Sequence, residues 1–104
     1  MPRKSKLIKI KITFRNTEAT EALRDYACQK IKKCLHKFVQ HDTEAHVVLR
    51  VEKNRQIAEV SFLANGTNIV GREESDDLYT ALDLLTDSLA QQLRKHKEKL
   101  TQRH

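Results

Sequence analysis

Between Ser75 and His104 leucine recurs at Leu78, Leu82, Leu85, Leu89, Leu93 and Leu100, at steps of three, four or their sum. Such steps put all six on one narrow stripe of an α-helix, and a helix with one apolar stripe is stable only when that stripe lies on another apolar surface. The remaining positions are divided by charge. Glu73, Glu74, Ser75, Asp76 and Asp77 gather at the start, where a cap and negative charge favour a helix N-terminus. Arg94, Lys95, His96, Lys97, Lys99, Arg103 and His104 gather at the end. Cations complement a helix C-terminus, so that end has an ordinary reading as a solvated tail beside a functional one as an anion-binding surface.

The surface on which this stripe must lie is legible upstream. Ile8, Ile10, Ile12 and Phe14 alternate with Lys9, Lys11 and Thr13, the pattern of a half-buried strand. Thr20 is placed to cap a helix whose apolar face carries Leu23, Ala27, Ile31, Cys34 and Phe38. A second strand follows, with Val47, Leu49 and Val51 inward. A third, Ile57 to Ala64, turns Ala58, Val60 and Phe62 inward and leaves Ile57, Glu59, Ser61 and Leu63 on the other face. Asn65-Gly66 is the strongest hairpin signal, because both central positions of a type I′ turn need positive φ. It leads into a fourth strand, Thr67 to Arg72, in a register that sets Phe62 opposite Ile69 and Val60 opposite Gly71. The predicted order is β-α-β-β-β-α. A crossover through the first helix makes strands one and two parallel, and the other pairs form an antiparallel meander. The expected fold is α+β, a four-stranded mixed sheet with both helices packed on one face, as in double-stranded-RNA-binding domains. At 104 residues this predicts one domain, with mobile ends at 1–6 and 101–104.

The chain has 20 Lys+Arg against 14 Asp+Glu, a formal charge of +6, which points to a polyanionic partner. No apolar run approaches the ~18 residues of a spanning helix, and Met1 to Lys6 lack a signal core. The expectation is a cytoplasmic protein with no membrane partner. Cys28 and Cys34, about 9 Å apart along a helix, are expected as free thiols in a reducing compartment. No CxxC or HxxxH spacing implies a metal site, and no nucleophile elbow, P-loop or dinucleotide glycine pattern implies an enzyme. The expectation is no catalytic residue, no cofactor, no metal and no small-molecule substrate.

The cations themselves are ordered. Lys30, Lys33 and Lys37 form a stripe beside the apolar face of the first helix, and Arg94, Lys95, Lys97 and Lys99 lie at the end of the second. With both helices on one sheet face, Lys30, Lys33 and Lys37 are expected beside Lys95 and Lys99, an array able to neutralise phosphates without reading sequence. Phe14, Phe38 and Phe62 are all expected to be buried, which argues for recognition of structured RNA by shape and backbone rather than base stacking. Two other readings use the same residues: a general double-stranded-RNA binder, and a protein-interaction module on the open sheet face with Val48, Ile57, Leu63 and Val70 exposed.

Four stretches, in this order and spacing, carry a resemblance that covers Ile8 to Leu100. They are Thr20-Glu21-Ala22-Leu23-Arg24, Val47-Val48-Leu49-Arg50-Val51-Glu52-Lys53, Asp77-Leu78-Tyr79-Thr80-Ala81-Leu82-Asp83 and Gln92-Leu93-Arg94-Lys95-His96-Lys97. With them the chain resembles the short ribosome hibernation promoting factors and the related ribosome-associated translation inhibitors. The resemblance implies a bacterial-type cytoplasmic stress-response protein that binds the small ribosomal subunit, and the intact ribosome, in the messenger and transfer RNA channel. It implies silencing of translation in stationary phase and promotion of inactive ribosome dimers, with a separate ribosome modulation factor as a further partner. Lys30, Lys33 and Lys95 match basic positions of the family and are carried over as ribosomal RNA contacts; Lys37, Arg94, Lys97 and Lys99 are added from the charge pattern. Ser88 and Gln91 stand where relatives usually carry basic residues, which implies a shallower salt dependence.

Overall fold

A computed structural model describes residues 7–64 and 66–102, with side chains through Lys95. The chain runs β1 (Ile8–Arg15), α1 (Glu21–Phe38), β2 (Thr43–Glu52), β3 (Arg55–Ala64), β4 (Thr67–Ser75) and α2 (Leu78–Gln102). The lead at 1–6 that was expected to be mobile lies outside the described residues, as do Asn65, Arg103 and His104.

The strands lie in sequence order in one sheet, β1 and β2 parallel and the other pairs antiparallel. The alternation read from sequence sets the register. Phe62 stands opposite Ile69 and Val60 opposite Gly71, as the hairpin predicts, and Gly66 has φ +81° in the turn. The meander's other turn is made without glycine, at Lys53-Asn54, where Lys53 takes φ 55°.

Both helices pack on the face that carries Ile8, Val47, Leu49, Val60, Phe62 and Ile69. α1 buries Leu23, Ala27, Ile31 and Leu35, while Cys34 and Phe38, expected on the central stripe, are half-buried at its edge. The reason is that α1 touches both the sheet and α2, so its apolar arc is wider than one stripe. Along α2, Leu78, Leu82, Leu85, Leu89 and Leu93 are all buried; the side chain of Leu100 lies outside the described residues. Gly71 lets α2 approach β4 closely, since a Cβ there would stand 3.1 Å from Leu85 Cδ1 and 3.3 Å from Leu89 Cδ2. Gln92 Nε2 donates to the Val70 carbonyl (3.3 Å), so α2 also satisfies an acceptor on this edge strand.

Two expectations are corrected. The final helix begins at Leu78 and not at Ser75: Glu73, Glu74 and Ser75 extend β4, with Ser75 paired to Gln56. Glu74 is held there by Arg55 (3.6 Å) and Arg72 (3.1 Å), and the helix is capped by Asp77, whose carboxylate accepts from the Thr80 N–H and hydroxyl, each at 2.8 Å. The second correction is Ile57, which lies on the open sheet face yet is fully buried. It sits in register between Arg50 and Glu74. Their ion-pair lattice, continued by Arg50 to Glu59 (3.3 Å) and Arg72 to Glu59 (3.5 Å), covers it with side-chain stems. The exposed apolar residues left on that face are Leu63 and Val70, with Val48 half-buried.

Candidate nucleic-acid interface

The two helices meet along one seam, and the pairings fix their relative direction. On α1, Tyr26, Lys30, Cys34 and Phe38 succeed one another at four-residue steps on a single face. They meet, in the same order, Tyr79, Asp83, Thr86 and Arg94 on α2. The helices are therefore parallel, and their basic C-terminal halves lie at the same end of the sheet. This follows from topology: β4 runs parallel to β1, so the helix that follows each strand returns in the same direction.

The upper half of the seam is a polar cluster. The Tyr26 and Tyr79 rings pack edge to face at 4.9 Å between centroids. The Tyr26 hydroxyl donates to Asp83 Oδ1, and Lys30 Nζ pairs with the same oxygen at 3.2 Å while lying 5.9 Å from the Tyr26 ring centroid. The bond from Tyr26, with the Lys30 ammonium beside it, holds the Asp83 carboxyl below the usual carboxylate range, and the same hydrogen bond raises the Tyr26 phenol. Lower down, the Cys34 thiol donates to the Thr86 carbonyl at 3.9 Å, and burial pushes its pKa up. Both cysteines are free.

Asp77, at the α2 cap, is also held low, chiefly by the bonds from Thr80. For both aspartates the folded-state pKa lies below the unfolded value, so their contribution to stability is present at neutral pH and is lost as pH falls through the depressed range. The expected result is a melting temperature that is level near neutrality and drops below about pH 4. Asp77→Asn and Asp83→Asn should flatten that acid limb, as read by thermal melts followed by circular dichroism across pH.

The lower half of the seam is cationic. Arg94 and Lys37 lie over the Phe38 ring, at 5.9 and 5.6 Å from its centroid, so one aromatic side chain brings a cation of each helix together. Lys33 and Lys37 are exposed and, with Gln29, Lys32 and His36, share one open face of α1. Lys95 is exposed; the side chains of Lys97 and Lys99 lie outside the described residues. The array thus differs from the expected one at its upper end: Lys30 stands against Asp83. The sequence reading also passed over Lys32 and His36, although Lys32-Lys33 and His36-Lys37 repeat at four residues and mark a second cationic row.

Of the phenylalanines expected to be buried, only Phe62 is. Phe14 and Phe38 are half-buried at the rim, where Arg24 covers the first (5.3 Å to the centroid) and Lys37 and Arg94 cover the second. Ser88 is half-buried and Gln91 exposed. Among the described residues no group of three His, Cys, Asp or Glu side chains is arranged to hold a metal ion, and no helix is long and apolar enough to cross a membrane.

Parallel helices on one face of a mixed sheet, with cations concentrated along α1 and at the described end of α2, define the class: a β-α-β-β-β-α module with a cationic helical face. The sequence model described as Sigma 54 modulation protein / S30EA ribosomal protein matches residues 10–101, and the chain belongs to that family, one of hibernation factors rather than enzymes. It is 42% identical over 95 residues to the ribosome hibernation promoting factor of Klebsiella oxytoca, covering 91% of this chain and 99% of that one. Its fold is similar to a ribosomal subunit interface protein from Coxiella burnetii, with a TM-score of 0.77 and 26% identity over 86% of this chain and 98% of the other. It is also similar to the N-terminal domain of Protein Y from Thermus thermophilus, with a TM-score of 0.75 and 28% identity over 85% and 98% of the two chains.

Proposed function

We propose that the chain is a ribosome hibernation factor that binds the small ribosomal subunit in the messenger and transfer RNA channel near the decoding centre. It acts by occupancy: the sheet holds two cationic helices against ribosomal RNA, and the bound domain excludes transfer and messenger RNA. Translation is thereby silenced in stationary phase, and the silenced ribosomes pair into inactive dimers. The observation that carries this reading is the parallel seam, which sets Lys33 and Lys37 of α1 at the same end as Arg94 and Lys95 of α2. Lys30 stands at the upper end of the surface, and Lys97 and Lys99 extend the pattern along α2. Relatives named for ribosome hibernation and for the ribosomal subunit interface support the choice of polyanion.

Because recognition here depends on shape and backbone, it must be distinguished from generic duplex binding. Labelled protein bound to small subunits is challenged with excess random duplex RNA at several salt concentrations. The reading expects binding that weakens with salt yet survives the duplex competitor. Displacement by duplex RNA in proportion to its phosphate content would make the chain a general double-stranded-RNA binder.

A further inference from the structure

The carboxylate in the middle of a surface assigned to RNA is the feature that the proposed function leaves unused. Asp83 points into the seam beside Lys30, with Asp87 one turn further along α2 near Cys34, and it is fixed there. The Tyr79 ring packs on Tyr26, the Tyr26 hydroxyl donates to Asp83 Oδ1, and that same oxygen takes the Lys30 ammonium at 3.2 Å. Lys30 and Asp83 both remain open to solvent, with side chains 39% and 48% exposed, so an arriving anion can reach the pair. The carboxylate oxygen stands on Lys30 as a phosphate oxygen would.

We infer that Asp83 is a specificity-determining residue: it occupies Lys30 in the free protein and so penalises generic polyanions that would otherwise bind the cationic face. The inference rests on the assignment of this face to ribosomal RNA. A lysine already paired with an internal carboxylate contributes less than a full charge to the counterion exchange that drives nonspecific binding. A phosphate that does engage Lys30 is then left beside a fixed negative charge, because the bond from Tyr26 keeps Asp83 from swinging away. A regular duplex, with phosphates at even spacing, meets that charge wherever it lands. A folded RNA surface can be shaped to leave it room, or to supply a donor to its free oxygen. Asp83 therefore lowers affinity for the wrong RNA more than for the right one, which is how a repulsive element creates specificity.

The test uses the full chain and two probes, a random-sequence duplex RNA and purified small subunits, over a salt series. Asp83→Asn keeps the shape and leaves the Tyr26 hydroxyl an amide oxygen to donate to. Its affinity for the duplex should rise roughly three- to tenfold, with a salt slope steeper by up to about 0.9, while its affinity for small subunits changes by less than about twofold. Tyr26→Phe, which only unpins the carboxylate, should give a smaller gain in the same direction, and it carries the test if Asp83→Asn lowers the melting temperature. In a Lys30→Gln background the duplex gain should vanish. Unchanged or weaker duplex binding by Asp83→Asn, an equal gain on small subunits, or a gain that persists without Lys30 would overturn the inference. Failure of wild-type protein to bind small subunits would instead sink the functional reading, and the duplex arm would still report on Asp83.

Discussion

Replacing Lys33, Lys37 and Lys95 together by glutamate should abolish binding to the small subunit, a loss of at least about three orders of magnitude near physiological salt. All three side chains are exposed, and their replacement removes three positive charges and adds three negative ones on the face assigned to RNA. The fold should not notice. None of the three belongs to the buried core, so far-ultraviolet circular dichroism and the melting temperature should stay close to those of the parent. Lys30 is left out of this variant on physical grounds: a glutamate at that position would confront Asp83 across the seam, and a loss of binding could then reflect helix separation. Retention of binding by the triple variant, measured by sedimentation with small subunits, would remove the cationic helical face from the mechanism.

The second large effect concerns the contact that holds α2 on the sheet. Leu85 is fully buried and reaches Gly71 on β4, so Leu85→Ala should cost about 3 kcal/mol through lost burial and the cavity left behind. For a domain whose whole stability is of the order of 5–15 kcal/mol, that is a large fraction, and the melting temperature should fall by many degrees. Gly71→Ala offers an internal check. In the parent its Cβ would crowd Leu85 Cδ1 at 3.1 Å; once Leu85 has been truncated, that atom is gone and the methyl group fills part of the void. The substitution at Gly71 should therefore be less harmful, or stabilising, in the Leu85→Ala background, and thermal melts of the four proteins would show the coupling. Additive effects would mean that the two residues do not share a packing space.

What the sequence made legible was what depends on periodicity. Alternation in β1 to β4 and the Asn65-Gly66 turn specify a register in which Phe62 meets Ile69, because a slip by one residue would turn every apolar side chain outward. The leucine steps of α2 likewise identify its buried stripe. The misreadings fall where two explanations share one residue type. Glu73 and Glu74 have the charge that a helix start favours, but Arg72 two residues earlier on β4 and Arg55 from β3 give Glu74 a better place on the strand, and no local signal reveals Arg55 as its partner. Ile57 reads as an exposed outer-face residue because its cover consists of charged side chains contributed by β2 and β4, strands that meet it only in the folded sheet.

The interface divides in the same way. That Lys30, Lys33 and Lys37 share a helix flank follows from spacing alone. That Lys30 is engaged by an acid from the other helix does not, because helix direction and axial offset emerge only when the Tyr26–Tyr79 and Phe38–Arg94 contacts are made. Asp83 was visible in the sequence only as the last residue of the stretch from Asp77 to Asp83, and its use against Lys30 is a product of the tertiary seam. Family membership is what favours the ribosome as the proposed polyanion, a choice that composition leaves open among all anionic partners.

Occupancy of the decoding channel is the central claim, and it is tested most directly by sedimenting the protein with purified small subunits whose transfer RNA sites are either empty or filled. The account predicts saturable binding to empty subunits, weakening as salt rises, and loss of that binding when transfer RNA is already in place. Equal binding to empty and filled subunits would contradict it and move the contact to another part of the subunit.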